Sequence, residues 1–130
     1  MISHIYIGVC DFDLAVKFYS TVLPEAGWTH RFTDLSRPWA GWQPVDRDRP
    51  LLLVGRPFNG AAASPGNGQM VALLAPTRGH VDRFFAQAIA QGGVDDGSPG
   101  MRTEYHPNYY GAYVRDLDGN KICVCCHEPE

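Results

Sequence analysis

Apolar and polar residues alternate in two short stretches, 2–8 and 69–75, and each stretch runs on into an apolar stripe of helical spacing. One face of a strand recurs every second residue and one face of a helix every three or four, so this change of period predicts a strand followed by a helix. The first stripe is Ala15, Phe18, Tyr19, Val22 and Leu23, and the second is Val81, Phe84, Phe85, Ala88 and Ile89. Both follow i, i+3, i+4, i+7, i+8, the spacing of a helix laid on a sheet. The two copies are offset by 66 residues, with Ile5 and Ile7 falling on Val71 and Leu73, Leu23 on Ile89, and Gly27 on Gly93. Asp11 or Asp13 can cap the first helix and Thr77 the second. Pro24 with Gly27 ends the first helix, and Gly92-Gly93 ends the second. Further strands are predicted at about 28–33, 39–44 and 50–56, then at about 101–105, 110–116 and 121–127, with Asp118-Gly119-Asn120 as a tight turn. Residues 57–68 form a Gly/Ala/Ser/Pro linker. The plan is α+β: one domain over 1–130, built from modules 1–56 and 69–127.

Composition narrows this picture. Gly 14 and Pro 10 in 130 residues exceed the usual share and argue against an all-helical bundle. A net charge of -3 with no basic run excludes nucleic acid and anionic membrane as expected partners. No apolar stretch approaches a membrane span, and a signal pattern is missing, so a cytoplasmic location is expected. Cys123, Cys125 and Cys126 crowd together, with Cys10 far away, unlike a secreted disulfide framework. They read as reduced and mostly buried thiols.

Several residues carry candidate chemistry. His4 and Tyr6 lie opposite Ile5 and Ile7 on the first strand. Met70, Ala72 and Leu74 share one face of the fifth, and Cys123 and Cys125 share one face of the last. Asp116-x-Asp118-x-Asn120 starts like a calcium loop, but Lys121 and His127 replace its required Gly and Glu.

The chain resembles the vicinal oxygen chelate superfamily, which includes glyoxalase I, bleomycin-resistance proteins and extradiol dioxygenases. The resemblance is carried by His4-Ile5, by Leu14 to Tyr19 with Val22-Leu23, by Pro107 to Tyr113, and by Asp116 to Ile122. It implies two βαβββ modules forming a curved mixed sheet, with the site in its cup. It also implies lyase, isomerase or dioxygenase chemistry on a small organic molecule, or metal-free sequestration of a ligand without catalysis. A homodimer is implied as well.

The family's metal positions map onto His4, Leu53, Met70 and Cys123. Only His4 is a His or carboxylate donor, of which a Ni, Zn, Fe or Mn centre of this kind needs several, so a divalent metal is implied by the resemblance but its ligand set is incomplete. His4, Met70 and Cys123 would instead form a soft N, S, S set suited to Cu(I). His4 reads as a cavity-lining histidine, or as a ligand or general base with help from His106 and Tyr110. Tyr6, Trp42, Met70, Ala72, Tyr105, Cys123 and Cys125 are the candidate substrate-binding residues, with Trp39 as an alternative aromatic. Arg102 and Arg115 read as carboxylate anchors or as surface charges.

Overall fold

Ile5 and Ile7 turn one side of β1 (His4–Gly8) toward the interior, while His4 and Tyr6 remain exposed on the other. The structure is a computed structural model and describes all 130 residues. After β1 comes α1 (Phe12–Val22), capped by Asp11, whose side chain accepts from the Leu14 N–H at 3.1 Å. Phe12, Ala15, Phe18, Tyr19 and Val22 are its buried face. Pro24 lies in a short 3-10 turn, Leu23–Ala26, that ends at Gly27. Three strands complete the module: β2 (Trp28–Asp34), β3 (Trp39–Pro44) and β4 (Leu51–Gly55).

The second module repeats the plan. It comprises β5 (Val71–Leu74), α2 (Arg78–Ala90), β6 (Val94–Met101), β7 (Tyr110–Arg115) and β8 (Lys121–Cys126). Thr77 caps α2 by accepting from the His80 N–H at 3.2 Å. Each module is a mixed four-stranded sheet, in the orders β1-β4-β3-β2 and β5-β8-β7-β6. The first and last strands of each module run parallel and the other pairs antiparallel. The chain is therefore an α+β fold of two βαβββ modules. One contiguous core draws on both, from Ile7, Phe18 and Val54 to Phe84, Val114 and Val124.

One strand lies elsewhere than the pattern predicts. β6 occupies Val94–Met101, whereas 101–105 was expected, and residues 103–105 form a turn. Its sequence VDDGSPGM has no apolar alternation. It is an outer strand paired only to β7, with register shifts between Asp95 and Gly97 and between Gly97 and Gly100. An edge with bulges tolerates Pro99 and needs little buried surface, so no hydrophobic period marks it.

The faces of β3 and β7 correct two site assignments. Trp42 is 1% exposed and packs in the core against Tyr19, with ring centroids 6.3 Å apart, so it lines no cavity. Tyr110 points to the helix side. Its hydroxyl donates to the Asp82 carboxylate at 2.6 Å, and the Arg78 guanidinium lies over its ring. That contact holds β7 against α2 and keeps Tyr110 out of the cup.

Asp116, at the β7–β8 turn, is the one buried charged residue. It accepts from the Tyr19 hydroxyl at 2.6 Å, from the backbone N–H groups of Asp118 and Asn120, and from the Asn120 side-chain amide. Asn120 also donates to the Gly8 carbonyl at 3.0 Å, and the Cys10 N–H donates to Asp118 at 2.9 Å. The turn of the second module is thereby bonded to α1 and β1 of the first. No helix is long and apolar enough to cross a membrane.

Candidate ligand cup

The faces turned away from the helices form two half-cups. The first is a cavity of about 780 Å³ bordered by His4, Tyr6, Trp39, Leu53 and the two arginines Arg37 and Arg56. That volume lies within the range of small-molecule sites. Alternation sets this lining: Leu52 and Val54 enter the core, which leaves Leu53 facing the cavity beside its β1 partner Tyr6. The Tyr6 hydroxyl donates to the Arg56 carbonyl at 2.6 Å. Gly55 makes room for this, because a Cβ there would lie against the Tyr6 hydroxyl and 2.9 Å from the Trp39 Cβ. Linker residues Pro57, Phe58 and Asn59 form another wall, so the segment that reads as punctuation in the sequence is part of the site.

The second half-cup is bordered by Met70, Arg102, Tyr105, Tyr109, Tyr113 and Lys121. A crevice between the modules joins it to the first, since Tyr6 borders both the crevice and the first half, and Met70 and Lys121 border both the crevice and the second. Ala72 faces a separate crevice beside Trp28 and Val45, at the other end of β5.

Cys123 and Cys125 lie on the cup face of β8, whereas Ile122, Val124 and Cys126 belong to the core. The Tyr109 hydroxyl lies 3.4 Å from the Cys123 sulfur and 3.1 Å from the Tyr113 hydroxyl. Tyr109 reaches the sulfur because Gly111 has no side chain, a Cβ there coming within 2.8 Å of the Tyr109 ring. Hydrogen bonding from Cys125 lowers the Cys123 thiol to about 7 against the opposing effect of burial, with further lowering from Tyr109, Tyr113 and Lys121. Burial and the neighbouring Cys123 hold the Tyr109 phenol well above its usual range, so it remains a donor. The same hydrogen bond, followed by burial, raises Cys125.

His106 and His127 meet above this pair, Nε2 to Nδ1, at 2.6 Å. The His106 Nδ1 accepts from the Asn108 N–H at 3.1 Å, so in a neutral ring its Nε2 carries the proton and donates to His127. His127 then directs its Nε2–H toward the Cys125 sulfur, 3.6 Å away. The sequence reading passed over His127, Tyr109 and Tyr113. Only the parity of β7 and β8, counted from a known core face, could have marked Tyr113. Tyr105 stands at the rim, 64% exposed, with its ring 5.0 Å from that of Tyr109.

The donors do not suit a divalent metal. Of the four family positions, Leu53 offers no donor atom and His4 and Met70 border different parts of the groove. No group of three His, Cys, Asp or Glu side chains is placed to hold an ion. Cys123 is covered by Tyr109 and does not share the His4 cavity, so the soft N, S, S set is not assembled within the chain.

Exposure separates the four thiols. Cys10 is exposed and the other three are buried. A chromogenic disulfide reagent will therefore titrate one thiol rapidly in the folded protein and four after denaturation. Two or more rapid thiols would show that the second half-cup opens to solvent.

The comparisons with known proteins agree with this architecture. The model of the Glyoxalase/Bleomycin resistance protein/Dioxygenase superfamily matches residues 1–124. A glyoxalase/bleomycin resistance protein from Albidiferax ferrireducens T118 is 32% identical, with a TM-score of 0.85 and 99% of each chain covered. A glyoxalase-related enzyme from Fulvimarina pelagi is 20% identical, with a TM-score of 0.73, covering 97% of this chain and 87% of that one. TioX from Micromonospora sp. ML1 is 18% identical, with a TM-score of 0.67, covering 98% and 99%. The last two likenesses bear on the fold alone. No curated protein matches the chain.

Proposed function

Because the chain belongs to the Glyoxalase/Bleomycin resistance protein/Dioxygenase superfamily, we propose that it binds a small organic molecule in the cup and does so without a metal-centred reaction. The observation that carries this reading is the lining. Where family members place metal ligands, this chain has His4, Leu53, Met70 and Cys123, and around them it places tyrosines, Trp39 and arginines. Such walls exclude water from an apolar body and orient it through a few polar groups.

Two measurements test the reading. Protein purified without chelator is expected to carry substoichiometric transition metal by elemental analysis. Aromatic fragments are expected to shift amide resonances of β1, β4 and the linker, with or without chelator. Stoichiometric Ni, Zn, Fe or Mn that is needed for binding would overturn it.

A second reading, catalysis of the lyase, isomerase or oxidoreductase type, is favoured by one feature. Cys123 joins a thiol of lowered pKa to the Tyr109 hydroxyl, which stays protonated and is itself bonded to the Tyr113 hydroxyl, a pairing in which the sulfur can serve as a general base. Under this reading Cys123→Ser retains fragment binding and abolishes turnover. We also propose a homodimer, since the outer strands of both sheets leave unpaired edges that a second copy can cover. Sedimentation velocity tests it. Free thiols suit a reducing, cytoplasmic setting.

A further inference from the structure

We infer that the first half-cup is a site for an organic carboxylate with an apolar body. The inference names the ligand class for the small-molecule site proposed above and rests on that reading. The observation behind it is an imbalance of charge. The chain as a whole has a net charge of -3, yet the residues bordering this cavity include Arg37 and Arg56 and no aspartate or glutamate.

Neither guanidinium belongs to an ion pair. The four ion pairs of the protein join Arg47 to Asp46, Arg83 to Glu25, and Arg115 and Lys121 to Asp96. The second half-cup thus has its own acid, Asp96, paired with its Lys121, and its Arg102 donates to the Ser98 carbonyl at 2.9 Å. The Asp34 carboxylate, which does not border the cavity, feels the charge of Arg37 but forms no ion pair with it. It accepts from the Ser36 N–H, the Ser36 hydroxyl and the Trp39 indole N–H. Arg56 also borders an outer depression with Asp11 and Asp13 but pairs with neither.

Arg37 is also held in place. Its guanidinium carbon stands 3.9 Å from the centre of the Trp39 ring, and Phe32 packs edge-on to that ring with centroids 5.0 Å apart. Stacking fixes the plane of the guanidinium and leaves its N–H fork free, the arrangement that accepts a carboxylate bidentately. Leu53, Pro57 and Phe58 offer the apolar wall for the rest of the molecule. Two cations bordering one cavity repel each other, and a bound anion removes that repulsion.

The test is isothermal titration calorimetry at low salt with three probes of one shape: 2-naphthoate, 2-naphthamide and 2-(aminomethyl)naphthalene. 2-Naphthoate is expected to bind at least about tenfold more tightly than the amide, the usual effect of a charge-assisted pair. Arg37→Gln combined with Arg56→Gln is expected to reduce the ratio of the naphthoate and amide affinities to about one. Arg83→Gln, on an ion pair outside the cup, is expected to leave all three affinities as they are. Circular dichroism of each variant checks that it is folded.

Equal binding of amide and naphthoate, preference for the ammonium probe, or survival of the naphthoate preference in the double variant would overturn the carboxylate assignment while leaving a small-molecule cup standing. Displacement of the naphthoate by inorganic phosphate at equal concentration would also overturn it. If none of the three probes binds, the assignment and the reading of the cup as a small-molecule site both fail.

Discussion

Asp116→Ala lowers the stability of the protein by about 3–5 kcal/mol, because it removes the acceptor from several donors at once. The Tyr19 hydroxyl, on a residue 1% exposed, has no other partner, and burial together with the Asp116 carboxylate keeps that phenol protonated. The backbone N–H groups of Asp118 and Asn120 lose their acceptor as well. A folded domain is stable by only ~5–15 kcal/mol in total, so the melting temperature should fall by roughly 10–20 °C. The double variant Asp116→Ala with Tyr19→Phe should recover part of the loss, since it also removes the stranded hydroxyl. Calorimetric melting of the two variants decides the matter. A melting temperature for Asp116→Ala within a few degrees of the parent would show that the modules are not held together through this turn.

Phe84→Ala comes next, with an expected loss of about 3–5 kcal/mol. Phe84 is fully buried on α2, which packs against β6, β7 and β8 and against α1. Truncation there opens a cavity at the contact between both modules and the second sheet. Phe84→Leu keeps most of the volume and should cost about 1.5 kcal/mol or less. Urea unfolding measures both. Equal midpoints for the alanine and leucine variants would mean that the site collapses freely around the deletion, contrary to a close-packed core.

Much of this architecture was legible along the chain because it is written in local periods. The stripes of α1 and α2, the caps at Asp11 and Thr77, the β7–β8 turn and the side of β1 occupied by His4 and Tyr6 all follow from spacing a few residues long. β6 was not legible, since a bulged edge strand buries too little to need a pattern.

The candidate site was legible only in part. Trp39 and Trp42 are three residues apart on one strand and so occupy opposite faces, but spacing does not tell which face is the core. Packing against Tyr19 took Trp42, and the cup received Trp39. Tyr109 and Tyr110 divide in the same way, one over Cys123 and the other bonded to Asp82.

By itself the sequence determined a duplicated strand–helix unit, and the resemblance it carries implied metal positions at His4, Leu53, Met70 and Cys123. The tertiary structure alone decided that the linker closes over the first half-cup and that Arg37 and Arg56, brought to one end of the β3–β4 pair by the Trp39–Gly55 register, border a cavity lined by no acid. The reason is physical. Period and capping act over one or two turns of chain, where geometry is set by the backbone. Convergence of distant loops depends on how the two sheets and their helices bury their apolar faces together, and no local spacing records that outcome.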